Sequence, residues 1–309
     1  METRAIQNGH KFSSDVMPLP NPHLVQMETD ILYHIAIATN THDLPSLFGD
    51  VKFVCIGGQP SRMSRFAAMV SRELGDPLPE GQTPQNYAAG TDRYAIYKTG
   101  PVLAVSHGIG FASLSVILHE IFKLLYHSRC KDVKIIRVGT SGGLGIKPGT
   151  VVITKECVNG MLNNYYEMPV LGKLVRRQAV PDVDFVNDLK RFADKMCCSF
   201  PTVTGKTLSV EDFYEGQGRL DGAICDYTQD EKTAFLKRLS GIGVVNIEME
   251  SLLLTALCHK AGISCATVCV TLVDRLEEDQ LTNSRETMVE WQSRPLTLVT
   301  GYIKHKLGL

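Results

Sequence analysis

Residues 133–154 read VKIIRVGTSGGLGIKPGTVVIT. Two β-branched runs, VKIIRV and VVIT, flank a glycine-rich stretch, and the first carries isoleucine and valine on both alternating faces. Strands apolar on both faces need a layer packed on each, as in a sheet sandwiched between helices. Arg137 interrupts that apolar run. A buried cation costs several kcal/mol unless an opposite charge or a ligand meets it, so Arg137 marks either an ion pair or a binding site.

Working outward, the same kind of run recurs at 51–56 (VKFVCI), 102–106 (VLAVS), 244–249 (VVNIEM) and 264–273 (SCATVCVTLV), and each reads as a strand. Between them lie SLSVILHEIFKLLYHSR (113–129), VDFVNDLKRFADKMC (183–197) and ESLLLTALCHKAG (250–262). Their apolar residues recur at three and four spacing, which suits helices packed on a sheet. The class is α/β. The polar stretch ending in MPLPNPH reads as a flexible N-terminal arm over 1–25. With no linker and no repeat beyond it, residues 26–309 read as a single domain. ELGDPLPEGQTPQN (73–86) reads as a long surface loop, whereas 155–178 carries no chemistry legible from its residues.

The balance of 32 Lys and Arg against 33 Asp and Glu gives no net field to hold nucleic acid or an anionic membrane. No apolar run is long enough to span a bilayer, and the N-terminal segment lacks the apolar core of a secretory signal, so the expectation is a cytoplasmic protein. The nine cysteines show no CxxC pair and sit mostly in apolar runs, where reduced buried thiols are expected. HGIGFAS (107–113) opens like a dinucleotide fingerprint but has Ser113 at the third glycine position. His119-Glu120 is followed by Lys123 where a zinc protease needs a second histidine. GTSGGLGIKPGT lacks the Walker spacing.

What remains is charge at strand ends: Arg137, Glu248 and Glu250 in NIEMES, and Arg275 in TLVDR. In open α/β sheets the carboxyl edge of the strands is where ligands bind. The glycine-rich turns expected at GGQPSR (57–62) and GTSGG (139–143) can present backbone N–H groups to an oxyanion, with Arg62 and Arg137 adding charge.

Six motifs in fixed order carry a resemblance: GGQPSR, AGTDRYAIYKTGPVLAVSHGIG, IIRVGTSGGLGIKPGTVVIT, DFYEGQGRLDG, NIEMES and TLVDR, all within 51–275. They resemble uridine phosphorylases, the pyrimidine branch of the nucleoside phosphorylase superfamily. The likeness to the longer animal-type enzymes runs from DILYHI at 30 to QSRPLTLV near the C-terminus. It implies a three-layer α/β/α sandwich around a mixed, partly barrel-closed central sheet. It implies phosphate bound by Gly58, Arg62, Arg137 and Thr140, with Arg93 reaching over from a neighbouring subunit. It implies ribose held by Glu250, Arg137 and Met249, with the partner subunit's His34 at the 5′-hydroxyl. Uracil is then expected against Phe213, with Gln217 and Arg219 on its edge and Ser141, Gly142, Leu272 and Arg275 completing the pocket. Each of these has an ordinary structural alternative, such as Phe213 in a core or Arg219 on the surface. Two departures stand out: Asp274-Arg275 where many bacterial relatives have Asn-Arg, and Phe111-Ala112 where Pro-Ser is usual.

The implied reaction is reversible phosphorolysis of uridine, with deoxyuridine as a further candidate substrate, to uracil and (deoxy)ribose 1-phosphate, with Arg137, Gln217, Arg219 and Glu250 as the catalytic set. Phosphate attacks C1′ while donors on Gln217 and Arg219 stabilise the departing uracil anion, so the scheme calls for no metal and no organic cofactor, phosphate being a co-substrate. The expected assembly is a homodimer with sites shared across the interface. Three rival readings stay open: a nucleosidase that uses water, which would have no use for Arg62, Arg93 and Arg137 together, a non-catalytic nucleoside-binding homologue, and a purine-directed phosphorylase in which Asp274 protonates the base.

Overall fold

The computed structural model describes residues 19–196 and 198–309. The expected arm therefore lies outside the described residues up to position 18, as does Cys197. From Leu19 the chain lies against the body, and Leu24 is buried. In chain order the elements are β1 Ile31–Leu32, β2 Ile37–Ala38, α1 Leu44–Phe48, β3 Phe53–Gly57, α2 Pro60–Glu73, β4 Ile96–Thr99, β5 Val102–Ser106, α3 Gly110–His127, β6 Lys134–Gly143 and β7 Val151–Val158. The second half adds β8 Tyr165–Val170, β9 Lys173–Gln178, α4 Val183–Lys195, β10 Thr202–Ser209, α5 Gln229–Gly241, β11 Val244–Glu248, α6 Ser251–Ala261, β12 Ser264–Asp274 and α7 Arg285–Lys306.

Eight strands form one mixed sheet in the order β11-β10-β7-β12-β6-β3-β5-β4. A further antiparallel pairing of β11 with β6, through Asn246↔Gly143 and Ile247↔Gly142, closes the first five into a barrel. Strands β3, β5 and β4 extend from it as an open wing. The wing shows why the runs are apolar on both faces. Phe53 and Cys55 of β3 enter one core with Met63, Phe66, Leu298 and Tyr302, from α2 and α7. Val54 and Ile56 enter the other with Leu114, Leu118 and Leu253, from α3 and α6. Each such side chain withdrawn from water stabilises by about 1.5–3 kcal/mol. Three layers result, with α5 packed on the barrel through Leu236 and Leu239.

One expectation is corrected. The stretch 139–143 is no turn but the second half of β6, laddered to β12 through Gly139↔Cys269, Thr140↔Val270 and Ser141↔Thr271. By contrast Gly58-Gln59 does turn, since β3 ends at Gly57 and Pro60, with its preset φ, opens α2. The unread stretch 155–178 finishes β7 and forms the β8–β9 hairpin.

Candidate active site

The carboxyl ends of β3, β5, β6, β11 and β12 meet at a cavity of about 350 Å³. Its floor is electrostatic. Arg137 points from β6 and is 3% exposed. It ion-pairs with Glu250 Oε2, lies 3.2 Å from Glu248 Oε2, and donates to the Cys269 sulfur at 2.7 Å. Burial works against its charge, but the Cys269 sulfur and the Glu250 and Glu248 carboxylates outweigh that and hold its pKa above the ordinary guanidinium value. Gly139 is what admits it: a Cβ there would lie 2.6 Å from Arg137 Nη1.

Glu248, at the end of β11, accepts from the N–H groups of Glu250 at 2.9 Å and Ser251 at 3.0 Å. It thereby satisfies the start of α6, where carboxylates are favoured, and fixes Glu250 over the cavity. Glu250 Oε1 accepts from Gly110 N at 2.6 Å, which ties the start of α3 to the same centre.

Arg62, in the first turn of α2, is buried and donates through Nη2 to Gln292 Oε1 of α7 at 2.9 Å. Its Nε has no partner among the described residues. Burial, and then the charge of Arg137, draw its pKa below the ordinary guanidinium value, a tension that an anion between the two cations would relieve. Gly58 and Thr140 line the same end.

At the far end Gln217 is 4% exposed, and Arg219 lays its guanidinium over the Phe213 ring, 4.5 Å from the centroid. Asp221 holds Arg219 bidentately, at 2.9 Å to both Nε and Nη2. Ser141, Gly142 and Leu272 form the wall, and Met249 lies between the two ends beside Glu250.

Three residues named for the site lie off this cavity, of which Arg93 and His34 were expected in the partner's site and only Arg275 in this one. Arg275 does not line the cavity. It is 1% exposed and stands behind Gln217, donating to its Oε1 at 3.3 Å and its carbonyl oxygen at 3.0 Å. Gly142 makes room for it, because a Cβ there would meet Arg275 Cγ at 2.7 Å. Arg93 is exposed, outside this chain's own cavity. His34 lies outside as well, with Nδ1 2.7 Å from Glu120 Oε1.

The structure also adds residues that sequence reasoning passed over. His107, just after β5, lines the cavity with Gly58 and the two arginines, and among the described residues no side chain hydrogen-bonds its ring nitrogens. Burial, Arg137 and Arg62 all drive its pKa well below the ordinary value, so the ring is neutral. The available signal was an imidazole directly after a buried strand, in a segment weighed as a dinucleotide loop and as part of the resemblance but not for this residue. A larger cavity, of about 740 Å³ between the β8–β9 hairpin and α5, has none of these arginines among its lining residues.

This arrangement of guanidiniums beside a carboxylate and a planar amide defines a class. Residues 52–304 match the family model described as "Phosphorylase superfamily". The mouse protein named uridine phosphorylase 1 is 48% identical over 99% of this chain and 97% of its own length. A solved structure of the Schistosoma mansoni uridine phosphorylase in complex with thymidine superposes with a TM-score of 0.90 at 42% identity, covering 94% of this chain and 99% of that one. An S. mansoni relative named inactive uridine phosphorylase B is 40% identical over 95% of this chain and 98% of its own. The chain belongs to the phosphorylase superfamily and, within it, to the uridine phosphorylases of the animal type.

Proposed function

We propose that the protein is a uridine phosphorylase, a pentosyltransferase that splits uridine with inorganic phosphate into uracil and ribose 1-phosphate. One observation carries the reading: the guanidiniums of Arg62 and Arg137 share a single cavity with the Gln217–Arg219 edge. Phosphate bound by the two arginines, Gly58 and Thr140 attacks C1′ from the face opposite the base. Glu250 accepts from the ribose hydroxyls as its carboxylate requires, and Met249 packs under the sugar. As the glycosidic bond loosens, the anion growing on uracil meets donors on Gln217 and Arg219, which gain strength in the transition state. The scheme uses no metal and no organic cofactor.

The purine reading needs Asp274 as an acid at the base. Asp274 Oδ1 instead accepts from Gly145 N at 2.9 Å and Leu276 N at 3.1 Å, and the residue does not line the cavity. A Gln amide offers donor and acceptor in one plane, which matches the uracil edge. Arg93 and His34 are proposed to complete the partner's site in a homodimer, supported by their place outside their own. Among the described residues no helix is long and apolar enough to cross a membrane, and we propose a cytoplasmic enzyme working on free nucleosides.

The test is uracil release from uridine with and without phosphate, beside inosine. Phosphate-dependent release is expected, with uridine favoured by roughly 10⁴-fold or more, because a purine leaves the polar groups of the site unpaired. Release independent of phosphate indicates a hydrolase, and comparable cleavage of inosine indicates the purine enzyme. No release at all places the chain with its inactive relative.

A further inference from the structure

The segment after β12 runs along the surface, and Leu276, Glu277, Glu278 and Gln280 are all exposed. Asp279 alone among these turns inward, leaving its side chain 10% exposed. Its Oδ1 accepts from Arg275 Nε at 2.9 Å, and its Oδ2 accepts from Lys232 Nζ at 2.7 Å and Leu220 N at 3.3 Å. Its backbone carbonyl accepts from Arg219 Nη2 at 2.5 Å. Both residues at the base edge are thus held from one point: Gln217 through Arg275, and Arg219 directly.

We propose that Asp279 is the positioning residue of the base site, aligning Gln217 and Arg219 from outside the cavity, and that buried Lys232 supplies positive charge to the leaving base through the same cluster. The inference rests on the reading that uracil binds at Gln217 and Arg219. Charge counting supports the second half. Arg219, Arg275 and Lys232 face two carboxylates, Asp221 and Asp279. Asp221 is spent bidentately on Arg219, so Asp279 is shared by two cations and one positive charge is left over. Lys232 itself lines the larger cavity and reaches the base edge through Asp279 and Arg275, which stands behind Gln217, and low surrounding dielectric preserves the effect. Burial pushes the Asp279 carboxyl up, yet Lys232 and Arg275 together hold it below its ordinary value, so it stays charged.

The experiment measures kcat and both KM values for Asp279→Asn and Lys232→Met. Asp279→Asn is expected to raise KM for uridine about tenfold or more, since a charge-assisted contact to an aligned donor is lost. KM for phosphate should stay within about twofold, because the phosphate end has no contact with this cluster. Lys232→Met keeps the stem volume and should lower kcat about tenfold with smaller changes in both KM values. Asp279→Glu, which keeps the charge but moves it, should show a smaller rise in the uridine KM alone. It carries the test if the Asn variant does not fold. Parallel changes in both KM values, or none, overturn the positioning role, and an unchanged kcat in Lys232→Met overturns the charge role. Phosphate-dependent uracil release by the unaltered enzyme is the control that separates failure of this inference from failure of the proposed function.

Discussion

Arg137 is a cation held inside an otherwise apolar strand. A cation in an apolar strand demands compensation, and Glu248 and Glu250 provide it from the next motif along the barrel. Arg137→Ala is expected to cut kcat/KM for both substrates roughly 30-fold or more, because removing one partner of a buried pair costs about 2–5 kcal/mol. Gly139→Ala tests the geometry without touching the charge: the new Cβ would overlap the guanidinium at 2.6 Å and force it aside. Steady-state kinetics on the folded variants checks both, and a Gly139→Ala enzyme as active as its parent would sink the claim that the guanidinium has one place to sit. Arg137 could be singled out from its sequence environment. The purpose of Gly139 could not, since it depends on where Arg137's own side chain folds back.

At the level of elements, β10 and β11 show how the barrel turns its corner. The register slips between Lys206 and Thr207, so that Val245 is passed over between Val244 and Asn246. This is a β-bulge, which bends the strand and raises its twist. Gly205 lies under that bulge, and a Cβ there would come within 2.2 Å of Val245 Cγ2. Gly205→Ala should destabilise by about 1–3 kcal/mol in denaturant titration, the usual cost of overpacking, and adding Val245→Ala should recover most of the loss. Equal stability of Gly205→Ala and the parent would contradict the packing argument. The sequence hides this strand. TVTGKTLS (202–209) mixes threonines with apolar residues because Thr207 faces a polar barrel interior, where it donates to Asn246 at 2.7 Å. The β8–β9 hairpin is only partly buried and α7 carries Pro295 within it, so neither shows the periodicity on which a reading from sequence depends.

For the molecule as a whole, the placement of Arg93 and His34 makes the completeness of one chain's site testable. Arg93 is exposed, and His34 is held by Glu120 of α3, away from the cavity of its own subunit. If both act in trans, an inactive Arg93→Ala protein mixed with an inactive Glu250→Ala protein should regain activity after subunit exchange, since one hybrid site then has every group. Activity is read by uracil release and exchange by tagged subunits. Exchange without recovery would assign Arg93 to its own subunit or to no site.

The sequence by itself determined the α/β class, because β3, β5 and the first half of β6 had to be buried on both faces. It also marked Arg137 and Glu250 as charges at strand ends and Arg62 beside a glycine-rich turn, whereas Gln217 and Arg219 were named only through the resemblance carried by DFYEGQGRLDG. Tertiary structure alone decided the rest. The β11–β6 pairing that closes the barrel joins residues about a hundred positions apart, and nothing local encodes it. GTSGG reads as a turn from its glycines, yet it is strand, because those glycines clear space for Arg137 and Arg275 rather than bend the chain. Arg275 was legible as important and misread in position: a charged residue at a strand end can face the ligand or stand behind what does, and only the packing of Gln217 against it tells which.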